Sequence, residues 1–224
     1  MQKMHIPDNW TFQRPEIAAA FDAHVREQLP WYELATGIVV HFARHFIADG
    51  SVVIDLGAST GNIGRALAPT LRARRANLIA VDNSPAMLEA YAAPGVVEIG
   101  EAESYDFAAR RPDLIICFLS LMFVRPAERL GVINRMKAAL RPAGALIVFD
   151  KREPIGGEVG QIMYRLTLAA KYEAGAKPDE VIAKELSLAG VQRPMHAQEM
   201  AGFTEIFRFG DFSGWIFAAA KVWE

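Results

Sequence analysis

The stretch Val53-Ile54-Asp55-Leu56-Gly57-Ala58-Ser59-Thr60-Gly61 has the residue types and spacing of a cofactor grip. A short apolar run ends in an acid and then breaks at glycine, which predicts a buried strand, a tight turn and a helix. A second acid, Asp82, lies about 25 residues on, where folds of this kind meet a ribose diol. Turn and acid together suit NAD and S-adenosylmethionine equally well. The serine discriminates between them. A dinucleotide turn wants glycine at position 59 so that backbone can approach the pyrophosphate. S-adenosylmethionine has no pyrophosphate; its amino-acid end can be met by hydroxyls, backbone N–H groups and an acid. Asp55 can hold backbone amides or attract the ligand's ammonium. Ser59-Thr60 also has a second reading, as the N-cap of the following helix.

The other reactive side chains are sparse. Histidines stand at 5, 24, 41, 45 and 196. His41 and His45 share one helix face at a metal-binding spacing, but no further ligand is in view, so no metal site is expected. His196 sits in the late connector, where substrate lobes gather, and is the candidate general base. Cys117, the only cysteine, lies in the apolar run LIICFL and is read as a buried inert thiol; no disulfide or cysteine metal site can form.

The elements that must position these residues follow from periodicity. Pro15 opens a helix along Ile17, Phe21, Val25 and Leu29 that Pro30 ends, and a second helix runs from about 33 to 48. Apolar runs at 51–57, 77–82, 95–100, 113–119 and 144–150 read as strands separated by helical stretches. Ser84 and Pro85 mark a helix start over 84–93, and an amphipathic helix precedes the Arg141-Pro142-Ala143-Gly144 stop. Two helical stretches fill 158–190, and runs at 203–210 and 213–223 form a terminal hairpin about Gly210-Asp211. The expectation is an α/β fold: a Rossmann-like doubly wound sheet of seven strands, mostly parallel with a C-terminal antiparallel hairpin, plus N-terminal helices. Residues 1–50 are read as an arm and helices, and 51–224 as the main domain with a helical insertion at about 155–200. The insertion carries Tyr164, Arg165, Lys171 and Tyr172, which could cover a substrate or simply pack. Trp10, Phe12 and Trp31 read as a lid or as anchors of the arm.

Composition excludes several classes. A net charge of −2 with 22% charged residues gives no electrostatic reason for tight nucleic-acid binding, although Arg72, Arg74 and Arg75 cluster at a helix end. No apolar run reaches a membrane-spanning length and no signal peptide is visible, so a cytoplasmic location is the default.

In order and spacing, VIDLGASTG, VDNSPAMLEA, DLIICFLSLMFV and MKAALRPAGALIVFDK resemble the successive motifs of class I S-adenosylmethionine-dependent methyltransferases. A narrower resemblance, through FDAHVREQLPWYELATG, DLGASTG, DNSPAM, FVRPAER, GGEVGQIMYRL and KELSL, is to the carboxy-S-adenosylmethionine synthases. Those enzymes carboxylate the cofactor, using prephenate, for tRNA wobble-uridine modification. The resemblance implies cofactor contacts at Tyr32, at Gly57 to Ser59, at Asp82-Asn83 and at Glu101-Ala102 beside the adenine. It also implies a homodimer. Two positions depart from the synthase pattern. Phe118 stands where that family has asparagine, and Ala197 near where an arginine binds the added carboxylate; Arg193 or Lys151 are the candidates to substitute. The expected function is therefore methyl transfer from S-adenosylmethionine, with S-adenosylhomocysteine as product, to an unidentified small-molecule acceptor. The alternatives are a synthase-like enzyme in the tRNA pathway and a non-catalytic cofactor-binding regulator. No Asn-Pro-Pro-Tyr-like motif follows the fourth strand, against many amino-directed nucleic-acid methyltransferases.

Overall fold

The computed structural model of the chain describes residues 11–219. His5, Trp10 and the end of the 213–223 run lie outside the described residues. Helices α1 (Pro15–Gln28) and α2 (Tyr32–Phe46) lead into β1 (Val52–Leu56), α3 (Asn62–Ala73), β2 (Asn77–Asp82), α4 (Pro85–Glu89) and β3 (Val96–Ile99). Then come α5 (Phe107–Arg110), β4 (Leu114–Phe118), a 3-10 turn at Leu121–Phe123, α6 (Pro126–Ala139) and β5 (Ala145–Lys151). Helices α7 (Gly157–Glu173) and α8 (Pro178–Ser187) precede the hairpin β6 (Thr204–Phe209) and β7 (Phe212–Ala218).

The seven strands form one sheet in the order β3-β2-β1-β4-β5-β7-β6. β1 to β5 pair in parallel, whereas β7 runs antiparallel to both β5 and β6. The order reverses between β1 and β4, and a crevice opens at the carboxyl ends of the strands on either side of that switch. Alternation of side chains splits each strand between two cores. Leu114, Ile116 and Phe118 of β4 face the layer containing α2 and α3, while Ile115 and Cys117 face α6. The buried Cys117 Sγ lies 3.7 Å from Met136 Sδ, and burial pushes its thiol well above the usual range. It is packed and inert.

Differences from the sequence reading are local. α4 stops at Glu89, short of Ala93, and the chain then runs into Pro94-Gly95. Its start is as expected: Ser84 Oγ accepts the Met87 N–H at 3.2 Å, with Pro85 in the first turn. α5 and the 3-10 turn are too short to leave a periodic signature. Trp31 is an anchor, packed on Phe212 and Phe207 with ring centroids 4.7 and 5.9 Å away. Arg75 pairs with Asp49 and Arg74 reaches the carbonyls of Arg44 and Ile47, so this arginine cluster ties α3 to the end of α2. No helix among the described residues is long and apolar enough to cross a membrane.

One buried ion pair fastens the late connector to α6. Arg129, fully buried, donates to Glu199 at 3.1 Å and to the carbonyls of Val124, Arg193 and Pro194 at 2.9–3.2 Å. Removing one partner of such a pair leaves an uncompensated buried charge. Glu199→Ala is therefore expected to cost about 3–5 kcal/mol in urea unfolding, against little effect from Glu173→Ala at an exposed site.

Candidate functional site

The glycine turn is built from backbone before it involves any side chain. The N–H groups of Gly57 and Ala58 both donate to the Val81 carbonyl, at 2.8 and 3.0 Å, which folds the turn over the end of β2. Gly57 has φ +77°, and a Cβ there would lie 2.4 Å from Ser120 Cβ, so only glycine fits. Gly61 has φ +93° and faces Ala93 and Tyr91, which leave no room for a side chain either. α3 begins at Asn62 with Gly61 in the cap position, so Ser59 is not the helix N-cap. Ser59 instead takes the left-handed conformation, φ 50°, that L-residues rarely adopt.

Asp82 holds that conformation. Its Oδ2 accepts the Ser59 N–H and its Oδ1 the Ser84 N–H, both at 2.9 Å. One carboxylate thus fixes the turn after β1 and the loop after β2. Burial raises its pKa, opposed by these backbone hydrogen bonds. Asp55 lies beneath the turn, 1% exposed, and its Oδ2 has no hydrogen-bond partner. Burial, reinforced by the neighbouring charge of Asp82, pushes its pKa up to about 7.

Helices α1 and α2 close one side of the cleft. Thr60 Oγ1 donates to Asp22 at 2.6 Å, and Arg65 pairs with the same carboxylate. Asn62 bridges Arg26 of α1, at 3.1 Å, and Thr36 of α2, at 3.0 Å. Tyr32 stands on Phe118 edge-to-face at 5.3 Å, and burial raises its phenol pKa. The opposite wall is the segment 119–124 after β4. The buried carboxylate of Asp150, raised to about 7 by burial, accepts the N–H groups of Leu121 and Met122 at 2.8 and 3.3 Å and so braces the 3-10 turn. Beyond β3, Asn83 Nδ2 donates to Glu101 at 3.0 Å on the rim.

The open cleft between these walls has about 1080 Å³ of empty space, open solvent included. Tyr32, Asp55, Gly57, Ala58, Ser59, Asp82, Asn83, Glu101, Ala102 and Phe118, all expected from sequence, line it together. Gly61 shapes the turn from behind without lining the cleft. Asp22, Met87, Leu119, Ser120, Leu121, Phe123 and Val124 line it as well and were not singled out in the sequence. The position of 119–124 at the end of a parallel strand beside the switch point was the available signal; Asp22 had none. Five carboxylates (Asp22, Asp55, Asp82, Glu101 and Glu103) line the cleft, and among the described residues no lysine or arginine does.

The remaining candidates lie elsewhere. His196 is half-exposed, with Nδ1 2.6 Å from Glu153, and lines no part of the cleft. Arg193 is fixed by its backbone, donating to Met122 and accepting from Arg129. Lys151 and Tyr164 line a second cavity next to the first. Among the described residues, no group of three or more His, Cys, Asp or Glu side chains could hold a metal ion.

Residues 53–144 match a family model described as a methyltransferase domain. The chain is 28% identical over 190 residues to carboxy-S-adenosyl-L-methionine synthases of Salmonella paratyphi B and Salmonella newport, covering 82% of this chain and 76% of each relative. Among solved structures it is similar to the magnesium protoporphyrin IX methyltransferase of Synechocystis with bound SAH, with TM-score 0.53, 13% identity and 84% and 82% of the two chains covered. A second is an S-adenosylmethionine-dependent methyltransferase of Methanosarcina mazei, with TM-score 0.50, 13% identity and 79% and 94% covered. Over residues 53–144 the chain thus matches a methyltransferase domain, over 190 residues it is similar at 28% identity to the synthases, and its fold is that of the solved methyltransferases.

A cationic ligand favours the ionised form of Asp55, so its proton must leave before such a ligand binds. Affinity for S-adenosylmethionine is accordingly expected to be highest above about pH 7 and to fall up to tenfold per unit below it. Calorimetry between about pH 5.5 and 7.5 reads this slope, and Asp55→Asn should bind more weakly with the slope removed.

Proposed function

We propose that this class I domain binds S-adenosylmethionine in the acidic cleft and transfers its methyl group to a small-molecule acceptor. The charge of the lining carries the reading. Five carboxylates line the cleft and, although Asp22 pairs with Arg65, no lysine or arginine among the described residues lines it, which disfavours a pyrophosphate and favours a ligand bearing a sulfonium and an ammonium. The orphaned Asp55 Oδ2 fits the same ligand, since a carboxylate so deeply buried requires a cationic or donating partner. Asp55 and the backbone of Gly57 to Ser59 would receive the amino-acid end, Asp82 and Asn83 the ribose hydroxyls, and Glu101-Ala102 the adenine edge.

The bound cofactor supplies an electrophilic methyl group whose leaving group departs neutral. The protein's part is alignment and exclusion of water. Tyr32, Phe118 and the braced 3-10 turn form rigid apolar walls around the site. Carboxylation of the cofactor is the second reading, favoured by the homology to the synthases. It would place a further anion in a cleft that already holds five carboxylates. Lys151, the expected substitute partner, is engaged by Gln192 and Asp211 at 3.0 and 3.3 Å in the neighbouring cavity.

Calorimetry with S-adenosylmethionine, S-adenosylhomocysteine and NAD tests the assignment: the first two should bind and NAD should not. Binding of NAD alone would overturn it. Mass spectrometry of the ligand retained through purification separates the two readings, because an added carboxylate on the cofactor establishes the synthase chemistry and the unmodified mass supports methyl transfer.

A further inference from the structure

S-adenosylmethionine carries a carboxylate beside its two positive centres, and the cleft offers little to receive it. Five carboxylates of the lining repel an anion, and among the described residues no lysine or arginine of the lining offsets them. The backbone of the glycine turn has few donors to give. Gly57 and Ala58 donate to the Val81 carbonyl, Ser59 to Asp82 and Gly61 to the Ala58 carbonyl. Of residues 57–61, only Thr60 has an N–H outside such a bond.

Most side-chain donors of the lining are engaged as well. Thr60 Oγ1 donates to Asp22 at 2.6 Å, and Asn62 Nδ2 to Thr36 at 3.0 Å. Asn83 Nδ2 donates to Glu101 at 3.0 Å, and Ser59 Oγ to Met87 Sδ at 3.3 Å. The hydroxyls of Tyr32 and Ser120 remain, and of these only Ser120 Oγ is buried with no hydrogen-bond partner. The Cys117 thiol lies close enough to feel this hydroxyl, but burial keeps the thiol protonated and sulfur is a weak acceptor. A buried hydroxyl without a partner is unfavourable. Ser120 as a residue is only partly buried, so rotation about its Cα–Cβ bond swings the hydroxyl from the wall into the cleft.

Its position suits one end of the ligand. The strand ends follow the sheet order, with Glu101 after β3, Asp82 on β2, Asp55 and Gly57 at β1, and Ser120 after β4. A ligand laid with its adenine at Glu101 and its ribose at Asp82 brings its amino-acid end to β1 and β4. There the turn and Ser120 abut, and a Cβ built on Gly57 would lie 3.3 Å from Ser120 Oγ. Acceptors are plentiful at this end and donors are scarce. Asp55 suits the ammonium, which leaves the hydroxyl for the carboxylate. Resting on the cofactor reading above, we propose that Ser120 is a ligand-binding residue of the cleft, whose hydroxyl turns to donate to the carboxylate of S-adenosylmethionine. It thereby selects an amino acid over a simple amine at that end of the ligand.

The test pairs a variant with a ligand that lacks the carboxylate. Calorimetry of the full chain compares S-adenosylhomocysteine with its decarboxylated counterpart, in which an aminopropyl chain replaces the amino acid. The readout is the ratio of the two affinities, in the wild type and in Ser120→Ala. The wild type should prefer S-adenosylhomocysteine, and Ser120→Ala should lower that preference roughly tenfold to hundredfold, the scale of a hydrogen bond to a charged group. Affinity for the aminopropyl thioether should stay as in the wild type, which also shows that the variant keeps its cleft. An unchanged ratio overturns the proposal and leaves the cofactor reading standing. Failure of the wild type to bind S-adenosylhomocysteine removes both.

Discussion

The site depends on one carboxylate at the end of a central strand. Asp82 spends both oxygens on backbone N–H groups, one from the turn after β1 and one from the loop that starts α4. Each is a charge-assisted hydrogen bond in a buried place, the strong kind. They hold Ser59 in a left-handed conformation that its side chain disfavours, and the turn can then lie flat over β2. Strain at a functional loop persists only when its surroundings over-determine it. Here the constraint comes from the sheet: β1 and β2 pair in register, so Asp82 and the turn cannot drift apart.

Fixing the turn in this way concentrates negative charge. Asp55 sits one strand over from Asp82, buried and with its Oδ2 short of a partner, and the charge of Asp82 makes it harder to ionise. A site arranged like this is unfavourable until a cation enters it, so the strain and desolvation stored at the strand ends become selectivity for a positively charged ligand. The neighbouring cavity differs, with Lys151 paired to Asp211 and Lys171 to Glu185 in its lining.

How much of this was legible in the sequence follows from what is local. Strands β1, β2, β4 and β5 announce themselves as apolar runs because both faces of the sheet are covered there, the edge strand β3 is an apolar run that stays largely exposed, and the hairpin about Gly210-Asp211 carries its own turn residues. Asp55, the glycine turn and Asp82 are readable because strand-end acids and tight turns are sequence-local devices. Ser59 was only half readable. Its type spoke against a pyrophosphate, but its backbone conformation is imposed by Asp82 across the sheet. Asp22 and the second cavity were not readable at all, since they arise where α1, α7 and α8 meet the loop after β4. Arg193 and His196 lie outside the cleft, in a connector whose Arg193 and Pro194 carbonyls are held by buried Arg129 of α6, a contact between distant segments that the sequence does not display.

The measurement that bears most directly on the central claim is a crystal structure of the protein with S-adenosylhomocysteine. The account predicts the amino-acid end of the ligand on Asp55 and the Gly57–Ser59 backbone, with the ribose hydroxyls at Asp82 and Asn83. A ligand seated elsewhere, or one that leaves the Asp55 carboxylate without a partner, would contradict it.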